Sequence, residues 1–177
     1  LFIGSSSIRY WKSLKNDMFP FKVINRGFGG AHIPHVNRHF HNIVKPYEPK
    51  GIIFFCGSND INALKSPEEV FDEFVKFYKM TELSLKDTKV FVISIKPSID
   101  RYQQRMRQKA WNESVQEMAR KEKNLYFIDV IPSMLVDGKP NPDLFVSDGL
   151  HMNQKGYEIW TKLVKPILEK NFKENVL

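Results

Sequence analysis

The sequence GIIFFC at residues 51–56, followed at once by GSND at residues 57–60, decides the fold class of this chain. An apolar run without polar alternation is typical of a strand that is covered on both faces, as in a parallel sheet. Four other short runs rich in Val, Ile and Phe lie at residues 1–3, 21–24, 89–95 and 125–130. Segments long enough for crossover helices separate the runs, so the alternation predicts a three-layer α/β/α domain with a parallel sheet of about five strands.

The clearest helix start follows this central run. Ser66 precedes Pro67, and Glu69 stands three residues after Ser66, which together predict a capped helix N-terminus. Apolar residues then recur at helical spacing, and similar stripes over about 101–122 and from about 153 onward predict two more helices. We interpret the aromatic and methionine side chains in these stripes as core residues.

The composition is that of an ordinary globular protein. With 177 residues, 42% of them hydrophobic and 27% charged, we expect residues 1–177 to form a single domain. No apolar run approaches the roughly 20 residues that span a bilayer, so we expect no integral membrane segment. The net charge of +7 is compatible with nucleic-acid binding. We expect no nucleic-acid partner, because the aromatic residues follow core periodicity and do not alternate with the basic ones.

Two features of the sequence bear on the cellular compartment and on where the natural protein begins. The one cysteine, Cys56, excludes an intramolecular disulfide and a Cys-based zinc cluster but indicates no compartment, cytoplasmic, secreted or periplasmic. The chain opens on LFIG at residues 1–4, without an initiator Met, so we expect the natural protein to begin before Leu1. The sequence indicates no oligomeric state.

Polar and glycine-rich segments follow the apolar runs or precede the last helix. Ligands bind beyond the carboxyl ends of the strands in an open parallel sheet, so these segments are the candidate site. They read GSSS at 4–7, NRGFGG at 25–30, GSND at 57–60 and SDGLH at 147–151. Hydroxyls, approachable backbone N–H groups, an amide, a carboxylate and an imidazole are the groups needed for acyl transfer through a serine nucleophile. At this point any of the three serines at 5–7 fits that role.

The spacing within these segments suits such chemistry. Asp148 lies three residues before His151 with Gly149 between them, so one turn can present both side chains. A histidine takes the proton of a serine hydroxyl, and a carboxylate on its other nitrogen fixes the tautomer. Gly30 permits close backbone approach and Asn59 can donate from its amide, which makes both candidates for an oxyanion hole. The glycines at 27–30 miss the nucleotide-binding spacings, so we expect no nucleotide cofactor.

In this order, the four segments resemble the blocks of the SGNH (GDSL-like) hydrolases. Gly4-Ser5-Ser6 is similar to the first block, with Ser5 where the family usually has Asp, and Asp148-x-x-His151 is similar to the last. The resemblance implies a flavodoxin-like sheet of order 2-1-3-4-5 and an ester hydrolase that uses no metal and no cofactor. It also implies the site residues, namely a catalytic set of Ser6, Asp148 and His151 and an oxyanion hole of Ser6, Gly30 and Asn59.

The sequence therefore predicts a serine esterase acting on a small-molecule, carbohydrate or lipid ester. Because 177 residues leave little chain for a lid, we expect an open groove that favours short acyl groups such as acetyl. The alternative is a non-catalytic ligand-binding module on the same fold, which the replacement of Asp by Ser5 would fit.

Three histidines form a second pattern. His32, His35 and His39 recur at the spacing of one helix face, which is compatible with a metal site. No fourth ligand is evident near them, and Pro34 interrupts the segment. We interpret them as surface or rim residues and expect no metal.

Basic residues form a third pattern just after the fourth apolar run. Arg101, Arg105 and Lys109 recur every four residues, and Arg107 adds to them. They indicate either a solvated helix face or a rim that binds an anionic group of the substrate.

Overall fold

The computed structural model describes residues 1–172. Its main sheet has four parallel strands in the order β1-β2-β3-β4. These strands are β1 (Phe2–Gly4), β2 (Gly51–Phe55), β3 (Lys89–Ile93) and β4 (Leu125–Ile128), and a small antiparallel pair consists of β5 (Leu135–Val136) and β6 (Lys139–Pro140). The helices are α1 (Ser6–Arg9), α2 (Leu14–Asp17), α3 (Ile33–Ile43), α4 (Ser58–Asn62), α5 (Pro67–Ser84), α6 (Arg105–Lys121) and α7 (Gln154–Phe172).

The apolar run at residues 21–24 is the one predicted strand that does not form a regular ladder. The chain there lies beside β1 with a single parallel bridge between Phe2 and Asn25. Phe2 donates its N–H to the Ile24 carbonyl and accepts from the Arg26 N–H, both at 2.8 Å. The segment has a neighbour on one side only, and β1 pairs over three residues, so little ladder can form. Its edge position is still the one that the predicted order 2-1-3-4-5 requires.

The three-layer prediction is confirmed by the side chains of the strands, which point alternately to two cores. Ile52 and Phe54 of β2 pack into a core with helices α3, α5 and α6. Ile53 and Phe55 pack into a second core with α1, α2 and α7, which contributes Trp160. Each fully buried side chain of this size contributes about 1.5–3 kcal/mol to the stability of the fold. Both faces of the sheet are thus covered, and the carboxyl ends of its strands remain for the site.

The predicted helix start at Ser66 is confirmed. Ser66 Oγ accepts from the Glu69 N–H at 3.2 Å, and the Glu69 carboxylate accepts from the Ser66 N–H at 2.7 Å. Pro67 occupies the first helical position, where a missing N–H costs nothing. Phe74 and Phe77 then lie fully buried one turn apart.

The helix predicted from about residue 101 begins at Arg105 instead, after a 3₁₀ turn over Tyr102–Gln104. Arg101 therefore does not belong to the face that carries Arg105 and Lys109. Among residues 1–172, no helix is long and apolar enough to cross a membrane.

Candidate active site

The Ser6 side chain lies at a tight turn between β1 and α1. Gly4 has φ +139°, and a Cβ there would lie 1.9 Å from the Phe55 carbonyl oxygen of β2, so this position requires glycine. Ser5 donates its N–H to the same oxygen at 3.0 Å. Ser5 and Ser7 are buried, whereas Ser6 is partly exposed at the carboxyl edge of the sheet. The turn thus presents the middle serine of the three.

Ser6, His151 and Asp148 form one chain of hydrogen bonds. His151 Nε2 lies 2.9 Å from Ser6 Oγ, and His151 Nδ1 lies 2.6 Å from Asp148 Oδ2. The Tyr10 ring packs edge-on against the His151 ring, with 5.1 Å between their centroids. The imidazole is therefore held by its carboxylate and by one neighbouring ring, with its second nitrogen on the serine hydroxyl. A chain of this kind can move a proton from the hydroxyl to the imidazole.

The turn before α7 fixes the Asp148 carboxylate. Asp148 Oδ1 accepts from the N–H groups of Leu150 and His151, both at 2.8 Å, and Gly149 turns the chain with φ +64°. Burial raises the pKa of Asp148, but hydrogen bonds from the His151 side chain and from these two N–H groups outweigh it and lower the pKa to about 2. Asp148 is therefore ionised at neutral pH.

Asn59 lies in the first turn of α4, after β2. Its Nδ2 donates to the Ala31 carbonyl at 2.9 Å, and its Oδ1 accepts from Arg101 Nη1 at 2.9 Å. Ala31 directly follows Gly30, which has φ +68° and open space where a side chain would stand. The structure thus links Asn59 to the Gly30 turn through Ala31, and it brings Asp148 and His151 to Ser6.

The loop after β3, at residues 94–101, contributes two buried cations to the site: Lys96, which the sequence patterns did not single out, and Arg101, which they placed on a solvated helix face or a substrate-binding rim. Lys96 is 4% exposed and donates from Nζ to the Leu150 carbonyl at 2.6 Å, next to His151. Burial, together with the nearby Arg101 charge, lowers the pKa of Lys96 to about 7. The N–H groups of Ile99 and Asp100 donate to the Gly149 carbonyl at 2.9 and 3.2 Å. A usable signal existed for Lys96, because it directly follows an apolar run.

The basic pattern at 101–109 does not form one solvated face. Arg101 is 8% exposed, so the interpretation of a solvated helix face is wrong for this residue. Arg107 donates to the Ile61 carbonyl in α4 and to the Lys65 carbonyl just after it, while Lys109 stays exposed near Glu113. Arg101 departs from the helix pattern because α6 begins only at Arg105.

The histidine pattern lies around the start of α3. His32 Nδ1 is 3.3 Å from the Asp60 carboxylate, and the His32 N–H donates to His35 Nδ1 at 3.3 Å. Within residues 1–172, no group of three or more His, Cys, Asp or Glu side chains is placed to hold a metal ion. Cys56 is buried and donates to the Ala31 carbonyl at 3.4 Å. Burial also raises the pKa of this thiol, which disfavours a cysteine nucleophile here.

Solved structures share this fold at low sequence identity. A protein from Streptococcus pneumonia, provisionally named as a platelet activating factor, has a TM-score of 0.85 and 22% identity, over 94% of this chain and 82% of its own. A GDSL-like lipase from Bacteroides thetaiotaomicron has a TM-score of 0.77 and 22% identity, over 97% and 87% of the two chains. A carbohydrate esterase of family 3 from Talaromyces cellulolyticus has a TM-score of 0.77 and 15% identity, over 98% and 97%.

Sequence comparison gives the family. No curated protein matches the chain. The model of the GDSL-like lipase/acylhydrolase family matches residues 4–159, which include all four segments of the site. The chain therefore belongs to the GDSL-like lipase/acylhydrolase family of hydrolases.

Proposed function

We propose that the chain is a serine esterase that hydrolyses short-acyl carboxylic esters. The observation that supports this most directly is the unbroken hydrogen-bond chain from Ser6 Oγ through His151 to Asp148. The family match supports hydrolysis, and the esterase and lipase named among the similar folds support an ester as the bond that is cleaved.

The proposed reaction has two halves. Ser6 Oγ attacks the ester carbonyl carbon while its proton passes to His151 Nε2, and the resulting imidazolium is stabilised by the Asp148 carboxylate. The tetrahedral intermediate collapses, the bond to the alcohol oxygen breaks, and that oxygen takes the proton from Nε2. Water then attacks the acyl-enzyme with the same proton path, which releases the carboxylic acid and restores Ser6.

The negative charge on the tetrahedral intermediate needs fixed donors. We assign this role to the backbone N–H groups of Ser6 and Gly30 and to the side-chain amide of Asn59. One N–H of Asn59 Nδ2 is engaged by Ala31, and an amide nitrogen carries two, so the second is free to donate to the oxyanion. Gly30 has no side chain to obstruct the approach, and an added Cβ would meet only open space there.

Replacing Asn59 by Ala tests this assignment. The variant loses one oxyanion donor, so we expect kcat on 4-nitrophenyl acetate to fall by about 10²–10³-fold with KM changed much less. Steady-state kinetics of Asn59→Ala beside the wild type measure both constants. As a matched control, Asn62→Ala at the far end of α4 should keep kcat near the wild-type value. A wild-type kcat in Asn59→Ala would contradict the assignment.

The acyl preference is tested with a series of 4-nitrophenyl esters from acetyl to palmitoyl. The His151 and Asp148 side chains are 27% and 46% exposed, so the catalytic edge is open to solvent and offers a long chain little apolar wall. We expect kcat/KM to be highest for acetyl or propionyl and to fall with chain length. A maximum at long chains would contradict the short-acyl proposal, and no hydrolysis of any ester would favour a ligand-binding module.

A further inference from the structure

Arg101 is a buried cation whose charge is poorly matched by its surroundings. It is 8% exposed, and its Nε lies 3.7 Å from the carboxylate of Asp100, which is itself half-exposed. Nε makes no hydrogen bond to the described residues. Burying a guanidinium with so loose an ion pair is unfavourable unless its other N–H groups find strong acceptors. Those acceptors therefore indicate what the side chain does.

The acceptors of Arg101 belong to the Asn59 segment. Nη1 donates to Ser58 Oγ at 2.8 Å and to Asn59 Oδ1 at 2.9 Å. On the opposite side of the same amide, Asn59 Nδ2 donates to the Ala31 carbonyl at 2.9 Å. A guanidinium can only donate, so its contact is compatible with the oxygen of the amide and not with its nitrogen. Arg101 and Ala31 together leave the Asn59 amide a single orientation.

We propose that Arg101 is a positioning residue that holds the Asn59 amide with its free N–H toward the oxyanion. This inference rests on the proposed esterase function, in which Asn59 is an oxyanion donor. Such donors lower the barrier because they are oriented before the charge develops. The cationic hydrogen bond on Oδ1 also polarises the amide and strengthens its remaining N–H as a donor.

A positioning role differs measurably from the two alternatives. If Arg101 bound an anionic part of the substrate, its loss would raise KM. If it only stabilised the fold, its loss would lower the unfolding temperature and leave kcat of the folded fraction unchanged. Positioning through Asn59 predicts instead a lower kcat that depends on Asn59 being present.

A double-mutant cycle tests the proposal. Arg101→Met keeps the apolar stem and removes the donor, and we expect kcat on 4-nitrophenyl acetate to fall by about tenfold or more with KM within about twofold. Added to Asn59→Ala, the same change should lower kcat by less than about twofold, since the amide it orients is gone. Arg101→Lys, which keeps a cationic donor, should recover part of the loss. Arg105→Met is the matched control, because Arg105 is exposed and, among residues 1–172, its side chain hydrogen-bonds only the Tyr102 carbonyl and lies over the ring of the same Tyr102.

Each outcome bears on the proposal. An unchanged kcat in Arg101→Met, a loss seen in KM alone, or a full further loss in the Asn59→Ala background would overturn it. If Asn59→Ala lowers kcat and Arg101→Met does not, the proposed function stands and the positioning role fails. If Arg101→Met does not fold, Arg101→Lys enters the same cycle.

A readout independent of turnover separates the two proposals. In ¹⁵N NMR spectra, the side-chain amide pair that disappears in Asn59→Ala identifies Asn59. We expect this pair to shift and to exchange faster with solvent in Arg101→Met and to stay unchanged in Arg105→Met. An unmoved pair in Arg101→Met would overturn the positioning role, even if the wild type hydrolysed no ester.

Discussion

Replacing Ser6 by Ala is expected to lower kcat/KM for 4-nitrophenyl acetate by about 10⁴-fold or more, because it removes the attacking oxygen. Ser6 Oγ is the serine oxygen within hydrogen-bond distance of His151 Nε2, at 2.9 Å. The rest of the site stays in place, so the binding of the ester is expected to change little. The loss of one neutral hydrogen bond at a partly exposed site costs about 1 kcal/mol of stability at most. Steady-state kinetics and a thermal unfolding curve of Ser6→Ala measure both effects.

The neighbouring serines supply matched controls for this variant. Ser5→Ala and Ser7→Ala change buried side chains on either side of Ser6, and both should keep kcat/KM within about tenfold of the wild type. They also test the position of the nucleophile within the three serines, which the sequence placed by resemblance alone. Wild-type turnover in Ser6→Ala, or a loss in Ser7→Ala as large as that expected for Ser6→Ala, would move the nucleophile.

The second large effect is expected for Asp148→Asn, which should lower kcat by about 10³–10⁴-fold. The Asp148 carboxylate accepts a hydrogen bond from the His151 Nδ1–H at 2.6 Å, and this leaves Nε2 without a hydrogen and free to take the Ser6 proton. An asparagine amide facing Nδ1 favours the opposite tautomer, in which Nε2 already carries a hydrogen and is no longer a base. The matched control is Asp143→Asn, which alters an exposed carboxylate in the turn before the last segment and should leave kcat unchanged.

Asp148→Asn also has a signature in stability that does not depend on turnover. The pKa of Asp148 is about 2 in the folded chain and 3.8 for the free group, so its ionised form is favoured by folding. That contribution is fully present above about pH 4 and is lost as the pH falls through about 2. The unfolding temperature of the wild type should exceed that of Asp148→Asn at neutral pH, and the gap should narrow toward pH 3. A gap independent of pH would contradict the hydrogen bonding described for this carboxylate.

Local patterns predicted most of the framework, because they act within one element. The apolar run at 51–56 contains β2. The α5 helix starts after Ser66, as the capping side chains of Ser66 and Glu69 predict. The run at 21–24 forms no regular strand because its pairing depends on another element, β1. That strand is short, and the chain beside it forms a single bridge with it. The hydrophobic pattern of a segment does not show how many residues of the neighbouring strand are available to pair with it.

The same distinction holds within the site. Asp148 and His151 could be paired from their spacing, since one turn holds both. The contact of Arg101 with Asn59 joins residues 42 apart in the chain through a loop without periodicity, and no local pattern signals it. Arg101 matched the helical spacing of Arg105 and Lys109, but it lies before the helix, because α6 begins only at Arg105.

The central claim is that Ser6 is a nucleophile activated by His151, and covalent labelling with a fluorophosphonate tests it most directly. Intact-mass spectrometry and peptide mapping of the labelled wild type should show one adduct, on Ser6. The adduct should be absent from Ser6→Ala, present in Ser5→Ala and Ser7→Ala, and much slower to form in Asp148→Asn. No adduct on the folded wild type, or an adduct on another residue that persists in Ser6→Ala, would contradict the account.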